Sequence, residues 1–184
     1  ILREHGLTVA AIRHPMPYGN LEKQRVQRYG GIADLKKHQC TIEEIEEYEP
    51  HIVSGTIIYS GVDYGDILAQ AQEEADVIVW DGGNNDTPFY KADLHIVVAD
   101  PLRVGNELTY YPGETNLRMA DVVIINKVDT ADIANINRLR ANIRRVNTTA
   151  AIIEAASPIF VNCPERITGK RVLVVEDGPT LTPG

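Results

Sequence analysis

Short runs of apolar, β-branched residues recur along the chain, separated by stretches with helical periodicity. The runs are Leu7 to Ile12, Gly55 to Tyr59, Asp76 to Trp80, Leu94 to Ala99, Asp121 to Ile125, Ala151 to Ile153 and Arg171 to Val175. Several are continuous rather than alternating, the pattern of strands buried on both faces of a helix-covered parallel sheet. Between them, Thr41-Ile42-Glu43-Glu44 has the form of a capping box. A segment opening at Asp63 places Ile67, Leu68, Ala71 and Ala75 on one side, and Ile133, Ile136, Leu139, Ile143 and Val146 recur at intervals of three or four. Ile1 to Gly6 reads as a last helical turn closed by glycine. The long segment from Arg13 to Pro50 is polar and reads as a crossover carrying specialised contacts. This alternation predicts an α/β fold, an open, doubly wound, mostly parallel sheet with helices on both faces. Ligands of such sheets sit beyond the carboxyl ends of the strands, so the residues after each run are where chemistry is expected.

Composition narrows the class. Of the 184 residues, 43% are hydrophobic and 24% charged, as in a globular protein with an ordinary core. No run approaches the ~18 apolar residues of a membrane span. Two cysteines, Cys40 and Cys163, are too few for a disulfide framework, which suits a reducing, cytoplasmic setting. A net charge of −8 argues against nucleic acid and acidic membrane as partners, but leaves room for a small anionic ligand held by a local basic cluster.

Asp121 to Ile125 ends in Asn126-Lys127-Val128-Asp129, the Asn-Lys-x-Asp of guanine recognition. An Asp carboxylate can accept two hydrogen bonds from guanine, the Lys stem can cover the ring, and the Asn amide can brace the loop. The same residues would suit a polar turn in which Asp129 or Thr130 caps the following helix. Asp76 to Trp80 leads into Asp81-Gly82-Gly83-Asn84-Asn85-Asp86, as a Walker B strand leads into a switch loop. Asp81 would orient Mg²⁺, Gly82, Gly83 and Asn84 would approach a γ-phosphate, and Asp86 is a candidate base or metal contact. Arg13 and His14, followed by two prolines, form a candidate anion or substrate contact, and Arg103 after Asp100 is a candidate phosphate contact. Ser157, in the small-residue loop Ala155-Ala156-Ser157-Pro158, would lie against the base. Lys23, Arg25 and Arg28 either extend the positive patch of Arg13 and His14 or form the solvated face of a helix, the second being favoured. His38 and Cys40 lack a second pair at zinc spacing.

The chain contains no Gly-x-x-x-x-Gly-Lys-Ser/Thr, although the Walker B-like and base-binding segments stand in the order expected after one. The expectation is therefore a single nucleotide-binding, P-loop NTPase-like domain over 1–184. Its phosphate loop would lie upstream, and residues 169–184 would lead into a further C-terminal region.

Four runs carry a closer resemblance: Ala11 to Gly19, Trp80 to Asp86, Tyr110 to Asn116 and Asn126 to Thr130, with Gly169 to Thr180 beside them. They resemble archaeal cyclic 2,3-diphosphoglycerate synthetase and its GTPase-like relatives. The resemblance implies an ATP-dependent ligase that phosphorylates 2,3-diphosphoglycerate and closes it to a cyclic pyrophosphate. Mg²⁺ and ATP would serve it, with GTP as the alternative nucleotide that Asn-Lys-x-Asp favours. Asp81, Asp86, Arg13 and His14 would do the catalytic work, with Arg13, His14 and Arg103 screening the substrate's charge. A homo-oligomer is left open, and this chain by itself is expected to be inactive. The competing readings are a GTPase of the metallochaperone or cofactor-maturation type and a non-catalytic nucleotide sensor.

Overall fold

A computed structural model describes residues 1–13, 20–82 and 87–174. The chain divides into two compact units, Ile1–Lys91 and Ala92–Gly184.

The first unit holds a four-stranded sheet in the order β2-β3-β1-β4. Its strands are β1 (Val9–Arg13), β2 (Gln27–Tyr29), β3 (Ile57–Ser60) and β4 (Val77–Trp80). β1 pairs in parallel with both β3 and β4, and β2 runs antiparallel to β3. Helices α1 (Ile32–Lys37), α2 (Ile42–Val53) and α3 (Tyr64–Glu74) complete it. β1 is buried over Val9 to Ile12, and its alternate residues feed two separate cores. Ala11 joins Tyr29, Leu35, Tyr48, Ile52 and Ile58 on the α1 and α2 side, whereas Ala10 and Ile12 join Tyr59, Ile67 and Ala71 on the α3 side. This unit is wound on both faces, as the continuous apolar run predicts.

The second unit holds a parallel three-stranded sheet, β5-β6-β7, of β5 (Ile96–Ala99), β6 (Val122–Ile125) and β7 (Ala151–Glu154). With it are α4 (Asn106–Thr109), α5 (Gly113–Met119) and α6 (Ile133–Val146). One core gathers Ala99, Leu117, Val123, Ile125, Ile136, Leu139 and Ile143. Within this unit its own helices pack on one face, and Ile96 and Val98 on the other are each 48% exposed and Ile153 51%. Asn147 closes α6. Its side-chain amide donates to Leu117 O (2.9 Å) and Ala120 O (2.8 Å), and its Oδ1 accepts the Ala150 N–H (2.9 Å).

Local rules account for the helix starts. Thr41 Oγ1 accepts the Glu44 N–H while the Glu44 carboxylate accepts the Thr41 N–H, and Asp63 caps α3. The Ile1–Gly6 turn forms a 3₁₀ helix, Leu2–His5, closed by Gly6 at φ 80°. Three expectations need correction. The Arg13–Pro50 segment is no plain crossover, since it contains β2, α1 and most of α2. Arg171 to Val174 forms no strand; it is exposed and has no sheet neighbour among the described residues. The cap of α6 is Asp132, whose Oδ1 accepts the Ala134 N–H, and not Asp129 or Thr130. Arg25 pairs with Asp63 and Asp66, and Arg28 with Glu74, so neither extends a basic patch.

Candidate functional site

In the first unit the parallel register sets Ile12 opposite Trp80, and the Asp81 N–H extends the ladder to Ile12 O at 3.0 Å. Arg13 and Asp81 therefore emerge side by side at the carboxyl ends of β1 and β4. Arg13 Nη1 lies 3.0 Å from Asp81 Oδ2. The rest of its guanidinium fork grips Glu47 Oε2, through Nε at 3.1 Å and through Nη2. His51 Nε2 lies 3.0 Å from the same Asp81 Oδ2, so the imidazole donates there. Burial works against the Arg13 charge, but the Glu47 hydrogen bond and the charges of Asp81 and Glu47 outweigh it and raise its pKa.

Glu47 and His51 are placed by the way α2 is seated. Tyr48 and Ile52 face the core, and Tyr48 donates to Ser60 Oγ at 2.9 Å. Burial is the main cause that pushes the Tyr48 hydroxyl up to about 12. Residues one position earlier, Glu47 and His51, then share the flank that meets Arg13 and Asp81. Neither residue is marked by a motif. The signal in the sequence was an acid and a histidine four apart on a helix whose start was already fixed.

Just before Asp81, Trp80 sits among aromatic rings. Tyr64 is 5.5 Å away between centroids and Tyr90 5.3 Å, while Phe89 stacks on Tyr64 at 4.6 Å. Gly82 follows Asp81 and is exposed. His14, Gly83, Asn84 and Asp86 lie outside the described residues.

In the second unit Ala99, Ile125 and Glu154 stand level across the sheet, so three loops leave from one edge. They are laced together. The Asn126 N–H donates to Ala99 O (3.0 Å), the Val128 N–H to Ala155 O (3.2 Å) and the Ser157 N–H to Asp129 Oδ1 (3.0 Å). Lys127, at φ 56°, reaches Asp100 Oδ2 at 3.1 Å, while Asp100 Oδ1 accepts the Leu102 N–H. Asn126, Lys127, Asp129 and Ser157 are thus brought to one loop cluster. Arg103 follows Leu102, and its buried Nη2 has no hydrogen-bond partner among the described residues. A guanidinium nitrogen shut from water without an acceptor is suited to an anion.

Comparison with known proteins bears out the fold class and the family resemblance. Residues 51–156 match the family model described as "Cyclic 2,3-diphosphoglycerate synthetase, P-loop domain", which is more than half of the chain. The chain belongs to this family. Within it, the chain is 64% identical over all 184 residues to a protein of Thermococcus kodakarensis named arginine synthetase ArcE. The chain spans 41% of that relative's length. It is thus part of a synthetase family with a P-loop domain, an α/β fold built for nucleotide binding. The family match takes in His51, Asp81, Arg103 and Asn126 to Asp129, whereas Arg13, Glu47 and Ser157 fall outside it.

The described residues fit Mg²⁺ in donor chemistry. Mg²⁺ keeps several waters and is held by one or two carboxylates rather than a full protein cage. Asp81 offers one carboxylate of this kind, whereas Glu47 is taken up by the Arg13 guanidinium. No helix among the described residues is long and apolar enough to cross a membrane.

Proposed function

We propose that this chain is the nucleotide-handling part of a longer synthetase whose product is arginine. The observation that carries this is 64% identity, over the full chain, to a relative named arginine synthetase. A guanidino carbon bears three nitrogens, so making one from a ureido group requires that group's oxygen to leave. Transfer of a nucleotide's terminal phosphoryl group to the oxygen turns it into phosphate, and ammonia then replaces it. The products are arginine, nucleoside diphosphate and phosphate.

The residues take the following parts. Asn126, Lys127 and Asp129, with Ser157, hold the nucleotide base. Gly82, Gly83 and Asn84 approach the γ-phosphate, and Asp86 stands as a base or metal contact. Asp81 would hold Mg²⁺, which would neutralise charge developing on the transferred phosphoryl group. Arg13, His14 and Arg103 screen phosphate and substrate charge. The phosphate loop would come from outside these 184 residues, so this chain alone is expected to bind nucleotide weakly and to turn nothing over.

The family description favours a second reading, cyclisation of 2,3-diphosphoglycerate. It uses the same first step, phosphoryl transfer to a substrate oxygen, followed by attack from a neighbouring phosphate already held in place. One experiment separates the two. Full-length protein with Mg²⁺ and either ATP or GTP is given the ureido analogue of arginine plus ammonia, or 2,3-diphosphoglycerate. Amino-acid analysis is expected to show arginine matched by released phosphate. A cyclic pyrophosphate signal by phosphorus NMR, without arginine, would establish the second reading. Nucleotide hydrolysis indifferent to both substrates would overturn both.

A further inference from the structure

Resting on the proposed role of Asp81 toward Mg²⁺, we propose that Glu47 and His51 of α2 are positioning residues. His51 sets how well Asp81 holds the divalent cation, and Glu47 fixes Arg13 for the nucleotide's phosphates. The geometry has three parts. First, both residues lie on one flank of a helix whose start is locked by the Thr41–Glu44 capping box and whose middle is tied to the sheet through Tyr48 and Ser60. The flank therefore cannot slide against the strand ends. Second, His51 and Arg13 both place a donor 3.0 Å from Asp81 Oδ2. Two donors on one oxygen restrain the carboxylate, and neither of them contacts Oδ1. Third, Arg13 is held from two sides, by Asp81 through Nη1 and by Glu47 through Nε and Nη2. A guanidinium with a single carboxylate could pivot about it, and with two it keeps one orientation. Such partners behind a metal-holding carboxylate change metal affinity by about 10–100-fold when removed.

The test uses full-length protein and four variants, Asp81→Asn, His51→Ala, His51→Gln and Glu47→Gln. Two quantities are read: Mn²⁺ binding followed by electron paramagnetic resonance, and the KM and kcat for nucleotide and substrate. His51→Ala is expected to weaken Mn²⁺ binding about tenfold or more. His51→Gln, whose side-chain amide can donate from the same place, is expected to recover most of it. Glu47→Gln is expected to raise KM for the nucleotide several-fold, with kcat less affected and Mn²⁺ binding near that of the parent. If Asp81→Asn abolishes Mn²⁺ binding while His51→Ala leaves it unchanged, the role of Asp81 stands and the proposal for His51 fails. If Asp81→Asn has no effect on Mn²⁺ binding, the metal reading and this proposal fall together. Equal losses in His51→Ala and His51→Gln would also overturn it, because a donor at Nε2 would then be irrelevant. An unchanged nucleotide KM in Glu47→Gln would overturn the part assigned to Glu47.

Discussion

The two units solve the same problem, holding functional loops at the carboxyl ends of parallel strands, by different means. In the first, Arg13 and Asp81 are held by side chains of α2, far away in sequence, in a network of ion pairs and an imidazole. In the second, the loops after β5, β6 and β7 hold one another through backbone groups and short side chains. Side-chain braces suit charged groups whose orientation must be kept at an exposed strand end. Backbone lacing suits a rigid frame for a flat base. The cores differ in the same sense: β1 buries residues on both faces, whereas β5 and β7 leave one apolar face uncovered within their own unit.

The contrast can be broken from either side. The largest effect is expected from Asp81→Asn, which removes a charge that two donors and the proposed cation share. In full-length protein kcat should fall about 100-fold, with thermal stability little changed. A fall in stability with kcat intact would make the brace merely structural. Next comes Asn147→Ala in the second unit. It leaves Leu117 O, Ala120 O and the Ala150 N–H without partners in a buried site, at a cost of about 2–3 kcal/mol. Hydrogen exchange should quicken in residues 92–154 and not in the first unit, and uniform quickening would show that the two units open together.

A smaller effect is expected from Asp129→Asn. The asparagine oxygen can still accept the Ser157 N–H, so the lacing survives, but one of the two bonds offered to guanine is lost. KM for GTP should rise about tenfold, the worth of one hydrogen bond to a charged group, while KM for ATP stays put. A shared rise for ATP and GTP would remove the guanine reading. The smallest effect concerns pH. Tyr48 and Tyr59 are pushed up to about 12, chiefly by burial, against about 10 for an unfolded tyrosine. Their raised values mean that the unfolded chain releases these protons first. The stability they contribute is whole below pH 10 and is lost as pH rises toward 12. Urea midpoints followed with tyrosinate absorbance should fall over that window, and Tyr48→Phe should flatten the fall.

Much of this was legible in the sequence because it depends on local rules. The capping boxes and caps at Thr41 and Asp63, the amphipathic α6 and six of the strands follow from patterns a few residues long. Asn126 to Asp129 and Asp81 announced themselves by standing just after buried runs. What could not be read depends on partners distant in sequence. Glu47 and His51 look like any solvated helix face until α2 is laid against the strand ends. β2 has only three residues, Gln27 to Tyr29, with Arg28 outward, too short for alternation to show. Ile96 to Ala99 reads as buried on both faces because an apolar run records what could be covered, not how many helices of its own unit pack there. Arg171 to Val174 shows the same limit from the other direction, since β-branched residues without a neighbouring strand make no ladder.

Trp80 is the only tryptophan among the 184 residues, and it directly precedes Asp81. Its ring is enclosed by Tyr64, Phe89 and Tyr90. The chain thus carries an optical probe one peptide bond from the carboxylate proposed to hold the metal. Emission excited at this single indole would register a cation or nucleotide arriving at Asp81 without any label. Reading it through a stopped-flow mixer would time that arrival.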